Sequence, residues 1–385
     1  MKPKVLHVIT VYNGRSFVPR AIESAVSMDK TAASVDVLVL DDASPEAGWS
    51  EELKAFCDNV GALYYLAPRN LGIPRNVSLG LMVAVRGNYD FVTINNSDVI
   101  FPRNLITCMV EACRQDNVGS VTAWSNNVSI YSLPNVDPDR YLANADTVNF
   151  VSDALSRKYG GQVLDVPAGI SFCIMMPVDV VRDVGVMDPI FGRGYCEETD
   201  WSLRSLKKGY RVTLSTGVFV YHRGRGSNLA AGLVSGAHTT VPENEDIIDL
   251  RYPDFRKNVE AFIRSGVMND LKEKAVDIIL EQAASKFGYE IVCGWKADGT
   301  ASECGRLKAS ILNQNLSCQL VYSAFGFEQK WPLKSFGDLR HVVRRFGTEG
   351  LVSCEFDLTD SDYVGLGAST LDKLSHWDWY PPSAV

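Results

Sequence analysis

The chain has 385 residues, too many for one ordinary core of about 100 to 200 residues, so two domains or one large domain with an extension are expected. Hydrophobic residues make up 46% and charged residues 22%, ordinary globular values that exclude a disordered chain. A formal net charge of -8 with no dense Lys/Arg face excludes a generic nucleic-acid binder, because phosphate neutralisation needs such a face.

In chain order, the first quarter alternates strand-like and helical patterns. KVLHVIT, VDVLVLDD and ALYYLA read as strands, with FVPRAIESAVSM and SEELKAFCDNV as helices between them. Unbroken Val/Leu/Ile runs suit strands buried on both faces and joined by crossover helices, the start of a doubly wound α/β fold. A helix over roughly residues 73–85 leads into DFVTI, which stops at Asn95-Asn96-Ser97-Asp98. Residues 125–161, with SLPNVDPDRY and few long apolar runs, read as a loop-rich connection. VLDVPAGISFCIMMP resumes strand material; a helix near residues 178–184, the loop IFGRGYCEETD, an amphipathic helix WSLRSLKKG and a strand RVTLSTGVFVYH follow.

Beyond Ser227 the character changes. Residues 228–245 are small, polar and glycine-containing, which suits a linker or lid. Residues 246–287 read as helical, and residues 289–385 as a small α/β region ending in the tail HWDWYPP. That tail is expected to pack in a core; a second copy of the chain or a membrane surface are its other partners.

The nine cysteines form no CxxC pair or metal-finger spacing and read as free thiols of a reducing compartment. The short apolar run at the N-terminus soon meets Tyr12, Asn13 and Arg15, which suits a buried strand rather than a signal peptide. No stretch of about 18 apolar residues appears. A cytoplasmic protein is expected, at most peripheral to the inner face of a membrane.

In open parallel sheets ligands collect beyond the carboxyl ends of the strands. Thr10, Tyr12 and Asn13 follow the first strand, Asp41 and Asp42 the second, and Asn96 and Asp98 the run DFVTI. Asp41-Asp42 either caps the next helix through DDASPE or offers a carboxylate to a nucleobase or ribose. Asp98 can hold a divalent cation that bridges a diphosphate, with Asn neighbours as a thin ligand set. Glu197, Glu198 and Asp200 either raise one another's pKa to give a poised base or form the acidic first turn of a helix. His222, with Arg223, Arg225 and glycines, makes a solvated loop or supplies one metal ligand and two guanidinium groups for phosphate; its place at a strand end favours the second.

These residues, in this order, resemble the family 2 inverting glycosyltransferases of the GT-A fold. The resemblance runs through VITVYN at 8–13, LDDAS at 40–44, RNLG at 69–72 with Asn76 and Gly80, INNSD at 94–98, DVPAGI at 165–170, GVMDPIF at 185–191, CEETDWSLR at 196–204 and HRGRGS at 222–227. It implies a Rossmann-like catalytic domain with a mostly parallel central sheet over residues 1–230, and a C-terminal accessory region, helical and small α/β, over 231–385. The implied reaction moves a sugar from a nucleoside diphosphate to a hydroxyl of a glycan, lipid-linked or protein-linked acceptor.

Carried over by position, Thr10, Tyr12 and Asp41 hold the nucleobase and ribose, with Asp42, Asn13, Asn70 and Asn76 shaping that pocket. Asp98, with Asn96 beside it and His222 completing the site, holds a divalent cation, Mn2+ or Mg2+, and Arg223 and Arg225 face the diphosphate. Glu198 is the implied base and Asp200 orients its neighbours. Trp201 and Trp124 offer aromatic faces to the acceptor, unless they fill the core.

Two positions depart from the family pattern. Asn96 stands where a full DxD has its first Asp, which weakens the metal site. Glu198 reaches one methylene further than the usual Asp and leaves Glu197 as the rival base. The metal motif is similar to that of rhamnosyl-, galactofuranosyl- and related polysaccharide-assembly transferases, which implies a UDP- or dTDP-linked donor. The rival reading is a non-catalytic sugar- or nucleotide-binding module on the same fold. A Rossmann dehydrogenase or P-loop enzyme is disfavoured, since TVYNGRSF lacks G-x-G-x-x-G and no Walker sequence occurs.

Overall fold

The computed structural model describes residues 2–224, 241–294, 306–314, 317–332, 345–346 and 349–357. The chain divides into two compact units, one of residues 1–133 and 142–270, the other of residues 134–141 and 271–385. The division therefore falls later than the change of character after Ser227.

The first unit is built on an eight-stranded sheet. Its strands are β1 (Lys4–Val11), β2 (Ser34–Asp41), β3 (Leu63–Leu66), β4 (Phe91–Asn95), β6 (Val118–Trp124), β7 (Val163–Asp165), β8 (Cys173–Pro177) and β9 (Arg211–Phe219), in the order β3-β2-β1-β4-β8-β6-β9-β7. β3, β2, β1 and β4 run parallel, as do β6 and β9, whereas β8 lies antiparallel between β4 and β6 and β7 is antiparallel to β9. The helices α1 (Val18–Val26), α2 (Trp49–Val60) and α3 (Ile73–Arg86) join the first four strands. The expected α/β alternation and mostly parallel central sheet are thus present.

Two spans differ from the sequence reading. VLDVPAGISFCIMMP is two strands, β7 and β8, separated by the loop 166–172. Within the stretch read as loop-rich lies the helix α6 (Ala145–Tyr159), which follows α4 (Leu105–Cys113) and the single turn α5 (Pro138–Tyr141). The side chain of Asn144 caps α6 by accepting from the Thr147 amide at 2.8 Å. Val148, Val151, Ala154 and Leu155 give it a buried stripe, spaced at three and four residues so that no contiguous apolar run advertises it.

The core between α3, α7 (Val178–Val184), α8 (Glu197–Lys207) and the sheet holds Leu6, Val8, Leu40, Val92, Ile94 and Trp201. Buried polar groups of β1 and β4 meet one another. His7, fully buried, has Nδ1 2.7 Å from Thr93 Oγ1 and meets the Phe101 ring edge-on at 4.6 Å. Burial lowers its pKa from 6.5 to about 3. The unfolded chain therefore takes up a proton below pH 6.5 that the folded chain refuses until about pH 3, so this residue's contribution to stability is intact above pH 6.5 and is lost as pH falls. Between pH 6.5 and 5.0 that loss is about 2 kcal/mol. Urea unfolding at the two pH values is expected to show this extra loss in the wild type and not in His7→Gln; equal losses in both proteins would contradict it.

Further along the first unit, α9 (Pro242–Arg251) and α10 (Phe255–Arg264) follow β9 and the short strand β10 (Tyr221–His222). The sequence placed residues up to 245 in a linker or lid, yet α9 begins at Pro242; residues 225–240, Arg225 among them, lie outside the described residues. In the second unit, after α11 (Val267–Phe287), β11 (Tyr289–Gly294), β12 (Leu307–Gln314), β13 (Ser317–Ala324), β14 (Phe327–Pro332) and β15 (Leu351–Asp357) form a five-stranded sheet in the order β14-β13-β12-β11-β15. The HWDWYPP tail lies outside the described residues.

Candidate active site

The registers Val11↔Asp41 and Ile9↔Asn95 bring the ends of β1, β2 and β4 to one rim. Asn13, at φ 60°, donates its amide to Ser44 Oγ at 2.8 Å and so ties the loop after β1 to the loop after β2. Between these loops is an open groove of about 550 Å3 lined by Asn13, Gly14, Arg15, Ser16, Pro45 and Glu46. The buried Asn13 Oδ1 has no hydrogen-bond partner among the described residues. Thr10 Oγ1 donates to the Asn95 carbonyl at 3.2 Å, and Tyr12 is partly exposed.

The two aspartates after β2 take different partners. Asp41 is fully buried and accepts from the Ser44 amide and hydroxyl, Ser50 Oγ and Tyr64 OH, at 3.0, 2.7, 2.6 and 2.9 Å. Its carboxylate is occupied within the protein, but it does not cap the next helix, since α2 starts after Gly48 with no side-chain cap. Asp42 accepts from the Leu71 and Gly72 amides at 2.7 and 3.0 Å, ahead of α3. Burial raises its carboxyl, while these two amides pull it the other way. Asn70 Oδ1 also accepts from the Gly72 amide, and the buried Asn76 donates to the Leu40 carbonyl at 3.3 Å.

Asp98 and His222 are far apart in sequence and adjacent in space. The strand β5 (Val99–Ile100) pairs antiparallel with β10 at His222↔Val99, and the Arg223 amide extends the pairing to the Asp98 carbonyl at 2.9 Å. His222 Nε2 thereby stands 3.2 Å from Asp98 Oδ1 and 3.2 Å from Asn96 Nδ2. The opposite ring nitrogen, Nδ1, is 3.0 Å from the Asn127 carbonyl, which can only accept. In the neutral ring the proton therefore sits on Nδ1, and Nε2 offers its lone pair toward Asp98. Asn126 grips the His222 backbone at both N–H and C=O, at 2.8 and 2.9 Å, and the Phe172 ring stacks on the imidazole at 5.4 Å. The Arg223 guanidinium lies 5.6 Å from the Phe17 ring centroid.

This donor set can be tested against a divalent cation. Two ligands on neighbouring corners of an octahedron, each about 2.1 Å from the metal, stand about 3 Å apart, and the 3.2 Å between Asp98 Oδ1 and His222 Nε2 agrees with that. Among the described residues no group of three or more His, Cys, Asp or Glu gathers as a metal site. The spacing of the pair fits two neighbouring ligands of one divalent cation.

The acidic segment forms the first turn of α8 and is largely buried. Glu197 is 3% exposed and Glu198 partly exposed. Burial raises both carboxyls, most strongly that of Glu197, whose neighbour's charge adds to the effect. The Oε2 atom of each has no hydrogen-bond partner among the described residues. Asp200, fully buried, is engaged by Arg204 Nε, Arg251 Nη1 and Tyr252 OH at 2.8, 2.9 and 2.8 Å.

Both tryptophans depart from the acceptor-side expectation. Trp201 and Trp124 have no exposed surface, and Trp201 Nε1 donates to the Gly185 carbonyl at 2.8 Å. Neither ring has a face to offer a sugar. Residues that the sequence reading left out instead surround the acidic segment: Asn244, Arg251 and Tyr252, from the α9 stretch. A signal existed for the last two, since a buried Asp200 demands cationic or hydroxyl donors and Arg251-Tyr252 is such a pair; Asn244 carries no local signal.

The loop ahead of α8 packs on the loop ahead of α3. The Ile73 amide donates to the Arg193 carbonyl at 3.1 Å. Gly72, at φ 78°, comes so close that a Cβ there would lie 2.5 Å from the Gly192 carbonyl oxygen. Gly72→Ala combines this clash with a left-handed backbone and is expected to cost about 2 kcal/mol or more. Thermal unfolding checks this, and an unchanged midpoint would contradict it.

No curated protein matches the chain in sequence. Solved structures similar to it include the mannosyltransferase PcManGT from Pyrobaculum calidifontis in complex with GDP-Man and Mn2+, at 15% identity and a TM-score of 0.45, over 75% of this chain and 76% of that one. GalNAc-T7 with UDP, GalNAc and Mn2+ is similar at 13% identity and a TM-score of 0.45, over 57% of this chain and 44% of that one. S. aureus TarS 1-349 in complex with UDP is similar at 12% identity and a TM-score of 0.39, over 57% of this chain and 60% of that one. The chain thus spans less than half the length of GalNAc-T7. Residues 7–185 match the family described as Glycosyl transferase family 2. That span holds the groove, Asp42 and Asp98 and ends before α8 and His222. The match agrees with the family 2 resemblance carried by the motif series and covers a little under half of the chain.

Proposed function

We propose that the chain transfers a sugar from a nucleoside diphosphate donor, UDP- or dTDP-linked, to an acceptor hydroxyl with inversion, in the assembly of a polysaccharide or other glycoconjugate. The observation that carries this reading is the Glu197–Glu198 pair at the start of α8, two neighbouring carboxyls each with a buried Oε2 that has no hydrogen-bond partner among the described residues, on a chain whose residues 7–185 match this family. A carboxyl raised by burial is closer in pKa to neutral pH and is a stronger base once ionised.

Glu198 accepts the proton of the acceptor hydroxyl as that oxygen bonds to the anomeric carbon. The bond from that carbon to the diphosphate oxygen breaks, and its electron pair leaves with the diphosphate. A direct displacement of this kind needs one base and a good leaving group. Asp98 and His222 would hold Mn2+ or Mg2+, which when bound supplies positive charge to the departing diphosphate. Asn96, with its amide turned, presents an oxygen to the same place. Arg223 and Arg225 neutralise the rest of the diphosphate, while Tyr12, Asn13, Asn70 and Asn76 shape the nucleotide pocket around the groove. Asp41 and Asp42 support that pocket by fixing the loops after β2 and before α3. Asp200, bound to Arg204, Arg251 and Tyr252, orients α8 rather than touching substrate.

No helix among the described residues is long and apolar enough to cross a membrane; a lipid-linked acceptor would be met at the membrane face. A thermal-shift screen of UDP-, dTDP-, GDP- and CMP-sugars with and without Mn2+ tests the donor. Stabilisation by UDP- or dTDP-sugars, enhanced by Mn2+, is expected. Stabilisation only by GDP- or CMP-sugars would refute the donor class, and none by any donor would refute the enzyme.

A further inference from the structure

The loop that delivers Glu197 and Glu198 is held in an uncommon backbone conformation. Gly192 and Gly194 have φ of 61° and 135°, and the next two residues, Tyr195 and Cys196, both have φ of 73°. Two successive non-glycine residues in the left-handed region carry backbone strain. Such a conformation persists only where its surroundings impose it.

One side chain is placed to impose it. Asn244, buried in the first turn of α9, directs its amide nitrogen at three carbonyl oxygens of this loop: Phe191 at 3.1 Å, Gly194 at 2.8 Å and Tyr195 at 2.9 Å. These carbonyls come from the bend itself, and the last belongs to the residue two places before Glu197. The far end of the same helix holds α8 through Arg251 and Asp200 at 2.9 Å, with Tyr252 on the same carboxylate oxygen. Helix α9 thus fastens both the entry to the acidic pair and the helix that follows it.

We propose that Asn244 is a positioning residue for the Glu197–Glu198 pair, setting the backbone from which Glu198 meets the acceptor hydroxyl. The amide suits this task because it presents two N–H groups to the carbonyls of the bend, of which that of Phe191 also accepts from the Gly194 amide at 3.0 Å. Ala removes both donors, and Asp opposes a carboxylate to three carbonyl oxygens. Released, the bend relaxes toward ordinary φ values and carries Glu198 away from its productive position, where a displacement of about 1 Å already costs about a hundredfold in rate. The donor groove, Asp98 and His222 make no contact with this amide in any hydrogen bond given above.

The proposal rests on Glu198 acting as the base, and its test separates the two. Asn244→Ala and Asn244→Asp are compared with wild type for kcat, donor KM and the pH profile of kcat, using the donor selected by thermal shift, and for tryptic cleavage after the exposed Arg193. Asn244→Ser, which keeps one donor, serves if Ala does not fold. A 10- to 100-fold loss of kcat is expected in Ala and a larger one in Asp, with donor KM within about twofold. The acid limb of the pH profile is expected to move, because a relaxed loop changes the burial of the pair. Cleavage after Arg193 is expected to quicken with little change in global unfolding. Unchanged kcat in folded variants of an active wild type would overturn the proposal, as would lost kcat with no loop release. Loop release in the variants of a wild type that turns over no donor would overturn the base assignment instead and leave the clamp standing.

Discussion

Glu198→Gln is expected to lower kcat for sugar transfer by about a thousandfold while the nucleotide binds as before. Gln keeps the shape of Glu and removes only the ability to take a proton, so binding through the groove and the Asp98–His222 pair is untouched. Glu197, 3% exposed, is expected not to replace it. Glu197→Gln is expected to cost less and to change the pH profile instead. Burial and mutual repulsion raise the pair, so the apparent pKa of the acid limb belongs to both groups together and lies above the ordinary Glu range. Rates should rise with pH through that limb as the base is freed, and the variant with a single carboxyl should show one simple ionisation. Steady-state kinetics from pH 5 to 9 measures both. A Glu198→Gln enzyme within tenfold of wild type would remove Glu198 from the chemistry.

Asp98→Ala is expected to weaken Mn2+ binding in the presence of nucleoside diphosphate and to lower kcat by about two to three orders of magnitude. With Asp98 gone, His222 Nε2 is the one ligand left of the 3.2 Å pair, and a diphosphate cannot by itself place the cation. His222→Ala should behave similarly but less severely, since the carboxylate carries the charge. Asn96→Asp makes the opposite change, bringing a second carboxylate to the same corner, and should tighten Mn2+ binding. Calorimetric titration of Mn2+ into the protein with UDP or dTDP distinguishes these. Equal Mn2+ affinity in wild type and Asp98→Ala would show that the cation sits elsewhere.

The strand ends that build the rim were legible because β1, β2 and β4 are buried on both faces and so appear as unbroken apolar runs closed by polar residues. Asp98 and His222 could be named from their order in a motif series; that they touch depends on β5 and β10, two residues each, too short to register as a pattern. Helix α6 escaped because its buried positions are interleaved with Asp, Asn, Ser and Lys, which dilutes any window of hydropathy. The aromatic faces of Trp201 and Trp124 misled, since the position of a Trp in the sequence does not say which way its ring turns, and both rings fill the core. Asp41 was assigned to the nucleotide, yet its oxygens accept from Ser44, Ser50 and Tyr64. Ser50 and Tyr64, in α2 and β3, reach Asp41 only through tertiary packing. Asn244 was the least legible of all, a polar residue in a helix start whose three acceptors lie about fifty residues earlier.

The most direct test is the anomeric configuration of the first-formed product, followed by proton NMR while the wild-type protein consumes a UDP- or dTDP-sugar with Mn2+ and an acceptor. A single displacement assisted by Glu198 yields a product whose anomeric centre is opposite to that of the donor. A product with the donor's own configuration, or no consumption of any such donor by the folded wild type, would contradict it.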